Sequence, residues 1–212
     1  MTYKADSIKT ISFGEAANAR IGMYLSADTD EAIFLGYREI VCNSNDEHAM
    51  GYGNKIITVI DSKKRTISVE DEGRGIPVGI RKDGSNSLIA ALTIPHTGAK
   101  LDSDTYAGAI GTNGIGSSIV AHTASWLDAE VKAYNGHYKV HFEGTAKAGA
   151  TTDGVVTITE TPQKKTGTKI TYSPNPETYK DSWINKEQVI EFLTQMSYFN
   201  PGLTYILDFD GD

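Results

Sequence analysis

Residues 126–174 read WLDAEVKAYNGHYKVHFEGTAKAGATTDGVVTITETPQKKTGTKITYSP. Four runs within this stretch, 126–134, 137–144, 154–161 and 168–174, are rich in Val, Ile, Tyr, Phe and Thr, and Gly or Asn turns separate them. That pattern predicts strands that follow one another as hairpins. Working outward, KIITVID (55–61) and RTISVED (65–71) flank Ser62-Lys63-Lys64 and read as another hairpin. Before them, Ile33, Phe34, Tyr37, Ile40, Val41 and Ser44 recur at helical spacing over 30–50, with Asp28 or Asp30 to cap the start and Gly51 and Gly53 to stop it. Shorter helices are expected at Gly14–Arg20, Ser87–Leu92, Ile115–Thr123 and Glu187–Tyr198, an apolar turn at Gly22–Leu25, and a last strand at LTYILDF (203–209). Helices mixed with consecutive hairpins predict an α+β class: a two-layer sandwich of one mixed, mostly antiparallel sheet with helices on one face, rather than a doubly wound parallel sheet.

The 212 residues include 20 basic and 27 acidic side chains, a net charge of −7, and 39% are apolar, which fits one globular domain with a sizeable core. No apolar run approaches the ~20 residues that span a bilayer, and the start MTYKADSIKT is polar, so no membrane partner and no secretory segment are expected. Cys42 stands alone. It excludes a disulfide framework and a multi-cysteine metal site, and fits a reducing, cytoplasmic setting. The acidic balance argues against a DNA-wrapping surface in this piece. Residues 1–13 read as a polar arm anchored by Tyr3, Ile8, Ile11 and Phe13, and residues 14–212 as the domain. Within it, 97–116 carry glycines at 98, 108, 111, 114 and 116 with few large apolar groups, and read as a lid.

Three constellations carry chemistry. The first is Glu39-x-x-x-Asn43, followed by Asp46 and Glu47, on a face of the 30–50 helix other than the one bearing Tyr37, Ile40, Val41 and Ser44. A carboxylate one turn from a carboxamide suits water activation beside Mg²⁺, and an ordinary solvated helix face has the same spacing. The second is Asp71-x-Gly73-x-Gly75-Ile76-Pro77, where a strand-end carboxylate can accept an exocyclic amine. A plain Asp/Gly/Pro turn explains it as readily. The third is Gly108-x-x-Gly111-x-Asn113-Gly114-Ile115-Gly116-Ser117-Ser118, glycines that lead into a helix N-terminus and can cradle an anion, with Lys100 upstream. Its spacing is neither the dinucleotide fingerprint nor the P-loop, and a flexible linker is the alternative.

Taken in order, the three resemble the ATPase superfamily of gyrase, heat-shock chaperone, histidine kinase and mismatch-repair proteins, the Bergerat fold. Arg20-Ile-Gly-Met-Tyr24, Glu39-Ile-Val-Cys-Asn43-Ser-Asn-Asp46-Glu47, Val69-Glu-Asp71-Glu-Gly-Arg-Gly75-Ile76-Pro77, His96-Thr-Gly-Ala-Lys100, Gly111-Thr-Asn-Gly-Ile-Gly116 and Lys165-Thr-Gly-Thr168 narrow the resemblance to the ATPase domain of the type IIA DNA topoisomerase B subunit, over essentially the whole chain. The resemblance implies an ATP-binding and hydrolysing domain that drives closure of a dimer gate for DNA strand passage, with ATP and Mg²⁺ as ligands. It implies Glu39 as general base, Asn43 as Mg²⁺ ligand, Asp46 beside the nucleotide, and Asp71 as adenine anchor with Gly75, Ile76 and Thr168 around the base. Lys100 and the backbone of Asn113, Gly114, Ile115 and Gly116 would form the phosphate cradle. Tyr3 and Ile8 would reach into a second protomer when ATP closes a homodimer, and the full-length enzyme would engage duplex DNA and a DNA-cleaving A-type subunit or domain.

The same resemblance leads us to expect that the transducer and cleavage domains lie outside this chain, and that the chain alone turns ATP over poorly. Cys42 replaces a usual Asp, Ile21 a usual Pro and Ala99 a lid Gly. Asn113 is closer to phage and eukaryotic members than to bacterial gyrase, which implies a phage or mobile-element origin. A chaperone or mismatch-repair ATPase would share the motifs without the Gly-Met-Tyr segment, and a nucleotide-sensing module would share the pocket without turnover.

Overall fold

The computed structural model describes residues 10–25, 29–97 and 114–212. Tyr3, Ile8, Lys100, Asn113, the Asp28 cap and most of the expected lid lie outside them. In chain order the elements are α1 (Phe13–Ala19), α2 (Ile21–Leu25), α3 (Thr29–Ala49), β1 (Lys55–Asp61), β2 (Thr66–Asp71), α4 (Ser87–Thr93), α5 (Gly116–Thr123), β3 (Ala124–Ala133), β4 (Gly136–Thr145), β5 (Gly149–Thr151), β6 (Val155–Thr159), β7 (Gly167–Pro174), α6 (Pro176–Tyr179), α7 (Lys186–Phe199) and β8 (Thr204–Phe209).

The strands form one sheet in the order β5-β4-β3-β7-β2-β1-β8, with β6 also paired to β4. The pairings are antiparallel except that of β8 with β1, which is parallel. The sheet is therefore mixed and mostly antiparallel, as the hairpin spacing predicts. The expected hairpin between 154–161 and 168–174 does not form. β7 lies between β3 and β2, with Leu127↔Tyr172 on one side and Val69↔Ile170 on the other. Burial explains the difference. Ile170 and Tyr172 are 4% exposed and belong at the sheet centre, whereas Val156 and Ile158 of β6 are 58% and 51% exposed and suit an edge. Three local features also differ from expectation. Gly22–Leu25 is part of a helical turn whose Ile21 and Leu25, four apart, are both buried, and the short elements β5 and α6 lack a periodic signal in the sequence.

Alternation along the strands explains the layering. Ile56, Thr58, Ile60, Ile67, Val69, Leu127, Ala129, Val131, Val140, Phe142 and Ile170 are buried on one face, while Ser68, Glu70, Asp128, Glu130, Lys139, His141 and Lys169 point to the other. Among the described residues the helices pack on the apolar face, where each buried Ile, Leu or Val contributes ~1.5–3 kcal/mol. α3 crosses this face and is enclosed beyond its apolar stripe: Ser44, Asn45 and Asp46 are 6%, 1% and 2% exposed. On the face with Glu39, Asn43 and Glu47, which are half-buried, Asp46 is enclosed. At the other end, Ser12 and Glu15 form a capping box on α1, and the Phe13 ring packs edge-on against Tyr24 and His122. Phe13 is thereby packed against the domain, and Ser12 caps its first helix. Among the described residues no helix is long and apolar enough to cross a membrane.

Candidate functional site

The site lies where α3 crosses the end of β2. Asp71, the last residue of β2, has its carboxylate held from three directions. Oδ1 accepts the backbone N–H of Gly73 at 2.8 Å and of Thr168 at 3.2 Å, and Oδ2 accepts the hydroxyl of Ser44 at 2.9 Å. Burial pushes the Asp71 carboxyl above its ordinary range. The bonds from Gly73, Ser44 and Thr168 pull it back down, and the charge of Glu47 adds to the rise. The acceptor therefore sits in a desolvated place, where an unmatched group opposite it is costly.

The bend after β2 is pinned to α3. The Glu47 carboxylate accepts the backbone N–H and Nε of Arg74 on one oxygen, at 3.0 and 2.9 Å, and Nη2 on the other at 2.9 Å. This bidentate, charge-assisted clamp is geometrically specific. The Arg74 guanidinium also lies 4.3 Å over the Tyr52 ring. Gly75 follows with φ +76°, and a Cβ there would lie 2.6 Å from the Lys132 carbonyl oxygen. Only glycine takes this turn without strain. Ile76 packs against the core from the same bend.

At the opposite end of the site α3 meets α5. A Cβ on Gly116 would come within 2.3 Å of Glu39 Oε2, 2.5 Å of its Cβ and 2.6 Å of its Cγ. Helix α5 thus starts directly against the Glu39 side chain, and no side chain caps its N terminus. One turn along α3, Asn43 Nδ2 donates to Ser117 Oγ at 2.9 Å. The neighbouring Gly114 carbonyl accepts the backbone N–H of His96 at 2.9 Å. Ile115 packs on the core, and its carbonyl accepts from Ser118 Oγ at 2.7 Å.

The structure therefore brings Asp71, Thr168, Gly75 and Ile76 together on one side of α3, beside Ser44, and Glu39, Asn43, Gly114, Ile115 and Gly116 on the other. Asp46 is enclosed at 2% exposure. Helical spacing puts Ser44 with the apolar face, and the structure makes it a partner of Asp71. Its spacing from Ile40 and Glu47, i+4 and i−3, places it on a side of the helix that is both apolar and polar, and that is the available signal. Arg74 carries no role in the sequence reading, because a bidentate partner 27 residues away leaves no local trace. His122 is a structural group, as lone histidines usually are. Nε2 faces the Thr93 carbonyl at 3.0 Å and Nδ1 the Ala150 N–H at 3.0 Å.

A separate cleft of about 780 Å³ touches the backs of Asp71 and Thr168. It is lined by Glu70, Glu130, Lys132 and Lys169, side chains of the open face of the sheet, and holds neither Glu39 nor Asn43. Of the candidate residues, Asp71 and Thr168 touch this cleft, and the others group under α3. Among the described residues no group of three or more His, Cys, Asp or Glu could hold a metal ion by itself.

No family model matches the chain. The B subunit of DNA topoisomerase 4 from Staphylococcus aureus, in strains MW2 and COL alike, is 35% identical over 197 residues, covering 93% of this chain and 29% of that protein. The chain thus spans under a third of the length of these relatives. Among solved structures, the 43K ATPase domain of Thermus thermophilus gyrase B, in complex with an aminocoumarin, superposes with a TM-score of 0.76 at 25% identity, over 93% of this chain and 49% of that one.

Proposed function

Because the chain belongs to the Bergerat-fold ATPase domains of type IIA topoisomerase B subunits, we propose that it binds Mg²⁺–ATP between α3 and the strand ends and hydrolyses it to drive closure of a dimer gate. The observation that carries the reading is the two-ended site. A half-buried carboxylate, Asp71, lies against Ser44 on one side of α3, and a carboxylate and a carboxamide, Glu39 and Asn43, meet the start of α5 on the other.

Asp71 takes the exocyclic amine of adenine, with Thr168, Gly75 and Ile76 around the base. Glu39 orients the attacking water and accepts its proton, a role that suits a carboxylate beside a helix start. Asn43 donates its Nδ2 to Ser117, so the amide oxygen is the atom it offers to a hard cation. One neutral oxygen plus phosphates and waters suits Mg²⁺, which keeps most of its own hydration. When bound, Mg²⁺ neutralises charge on the transferring phosphate. The backbone of Gly114, Ile115 and Gly116 receives the phosphates, joined in our reading by Lys100, Asn113 and, near the nucleotide, Asp46.

The wider assignment is a type II topoisomerase acting in the cytoplasm on duplex DNA with an A-type partner, dimerising through Tyr3 and Ile8 of residues 1–13. Its support is the similarity to part of the topoisomerase 4 B subunit, 29% of that protein's length. Calorimetry of the chain with a non-hydrolysable ATP analogue and Mg²⁺ tests the central reading. Binding in the micromolar to millimolar range is expected, and no heat at millimolar nucleotide would overturn it.

A further inference from the structure

Consecutive residues of α3 bind to two different elements on opposite sides of the site. Asn43 Nδ2 donates to Ser117 on α5, and Ser44 Oγ donates to Asp71 on β2. Successive residues on a helix point about 100° apart, so one short stretch of backbone sets the phosphate end and the base end together.

The hydrogen-bonding capacity of Asp71 makes Ser44 more than a fold contact. An ionised carboxylate has about four lone-pair positions. Oδ1 uses two on the N–H groups of Gly73 and Thr168, and Oδ2 uses one on Ser44. One acceptor position is left, on Oδ2. Ser44 is 6% exposed, and its hydroxyl donates to this carboxylate. Without that hydroxyl the two backbone bonds, both on Oδ1, would leave the carboxylate free to turn about them. With it, the direction of the last lone pair is set.

We propose that Ser44 is the positioning residue for base selection: it orients Asp71 so that a single acceptor faces the six-position of the purine, and the site thereby takes a 6-amino purine nucleotide. The proposal rests on the ATP-binding reading and extends it to a residue that nothing else singles out. A 6-oxo purine would set its carbonyl oxygen against the remaining lone pair. A purine with hydrogen at that position would lose the contact without a clash.

The test is calorimetry of the wild-type chain, Ser44→Ala and Ser44→Thr with two triphosphates, an imido analogue of ATP and purine riboside triphosphate, which lacks the amino group. In wild type the ATP analogue should bind about tenfold more tightly than the purine riboside nucleotide, as one well-placed hydrogen bond to a charged group allows. Ser44→Ala should reduce that ratio to about twofold or less, with the purine riboside nucleotide hardly affected, and Ser44→Thr, which keeps the hydroxyl, should restore it. An unchanged ratio in Ser44→Ala, or equal weakening of both nucleotides, would show Ser44 to be a packing contact and overturn the proposal while leaving ATP binding intact. Failure of the wild-type chain to bind either nucleotide would overturn both readings together.

Discussion

Gly116 and Glu39 are packed so closely that a methyl group on the glycine would overlap the carboxylate oxygen, the Cγ and the Cβ of the glutamate. Gly116 is thus a spacing residue between the start of α5 and the proposed general base. Gly116→Ala should destabilise the domain by ~1–3 kcal/mol, the range for an overpacked site, and weaken binding of an ATP analogue. Adding Glu39→Ala should relieve little, since the Glu39 Cβ at 2.5 Å remains in the way. Thermal melts of the single and double variants, with calorimetry, check this. A Gly116→Ala protein with wild-type melting would contradict the close approach.

Glu39→Gln should bind the ATP analogue with little change and release phosphate ~10²–10⁴-fold more slowly. The amide keeps the shape and can still accept a hydrogen bond, but it cannot take the proton from water. Phosphate release from a fixed amount of bound ATP is the measurement. Hydrolysis at the parental rate would remove Glu39 from the role of base.

Asp71→Asn should bind ATP more weakly and narrow the preference for ATP over GTP. In the wild type an acceptor-only carboxylate faces the guanine carbonyl, and an opposed buried acceptor costs ~1–3 kcal/mol, roughly 10–100-fold in affinity. Asparagine supplies a donor as well and removes part of that penalty. Titration of both nucleotides into both proteins gives the ratios, and equal ratios would show Asp71 to be a turn residue only.

Two histidines should act oppositely on stability as pH changes. Burial holds His122 below its ordinary value of 6.5, against a smaller opposing effect of the Thr93 carbonyl. The unfolded chain then takes up the proton first, so this group leaves stability level above 6.5 and lowers it as pH falls below. Protonation would also give Nδ1 a hydrogen facing the Ala150 N–H. His141 sits between Glu143 and Asp128, whose hydrogen bonds raise it above 6.5. Its contribution is full below 6.5 and is lost as pH rises through the raised value. His141→Gln should therefore melt below wild type at about pH 5.5 and match it near pH ~9, and its stability should fall more steeply with acid. Melting curves from about pH 5 to 9 test both signs, and parallel curves would exclude the His141 pair as a stabilising contact.

Much of the fold was legible because the signals are local. Short runs rich in Val, Ile, Tyr, Phe and Thr between turn residues, at 55–61, 65–71, 137–144 and 168–174, marked strands, and the helical repeat at 33–44 marked the long helix. Gly51, with φ +86°, ended it. The candidate site was read through residue type and order, Glu39 to Asn43, then Asp71, then Gly116 and Thr168. Which strand lies beside which was not, because β7 pairing with β2 and β3, and β8 running parallel to β1, depend on partners about 40 to 150 residues away in sequence. The chain encodes those pairings only through how much apolar surface each strand can bury.

Sequence by itself determined the longer helices and strands and the chemical kinds of group available to a nucleotide, but not α2, β5 and α6. Tertiary structure alone decided that Ser44 serves Asp71 rather than the core, that Glu47 clamps Arg74, and that Glu39 limits position 116 to glycine. Each of these is a contact between side chains or backbone brought together by the packing of α3 over the sheet and α5. The rotation of a helix against its neighbours is set by summed packing over many residues, and no single spacing in the chain records it.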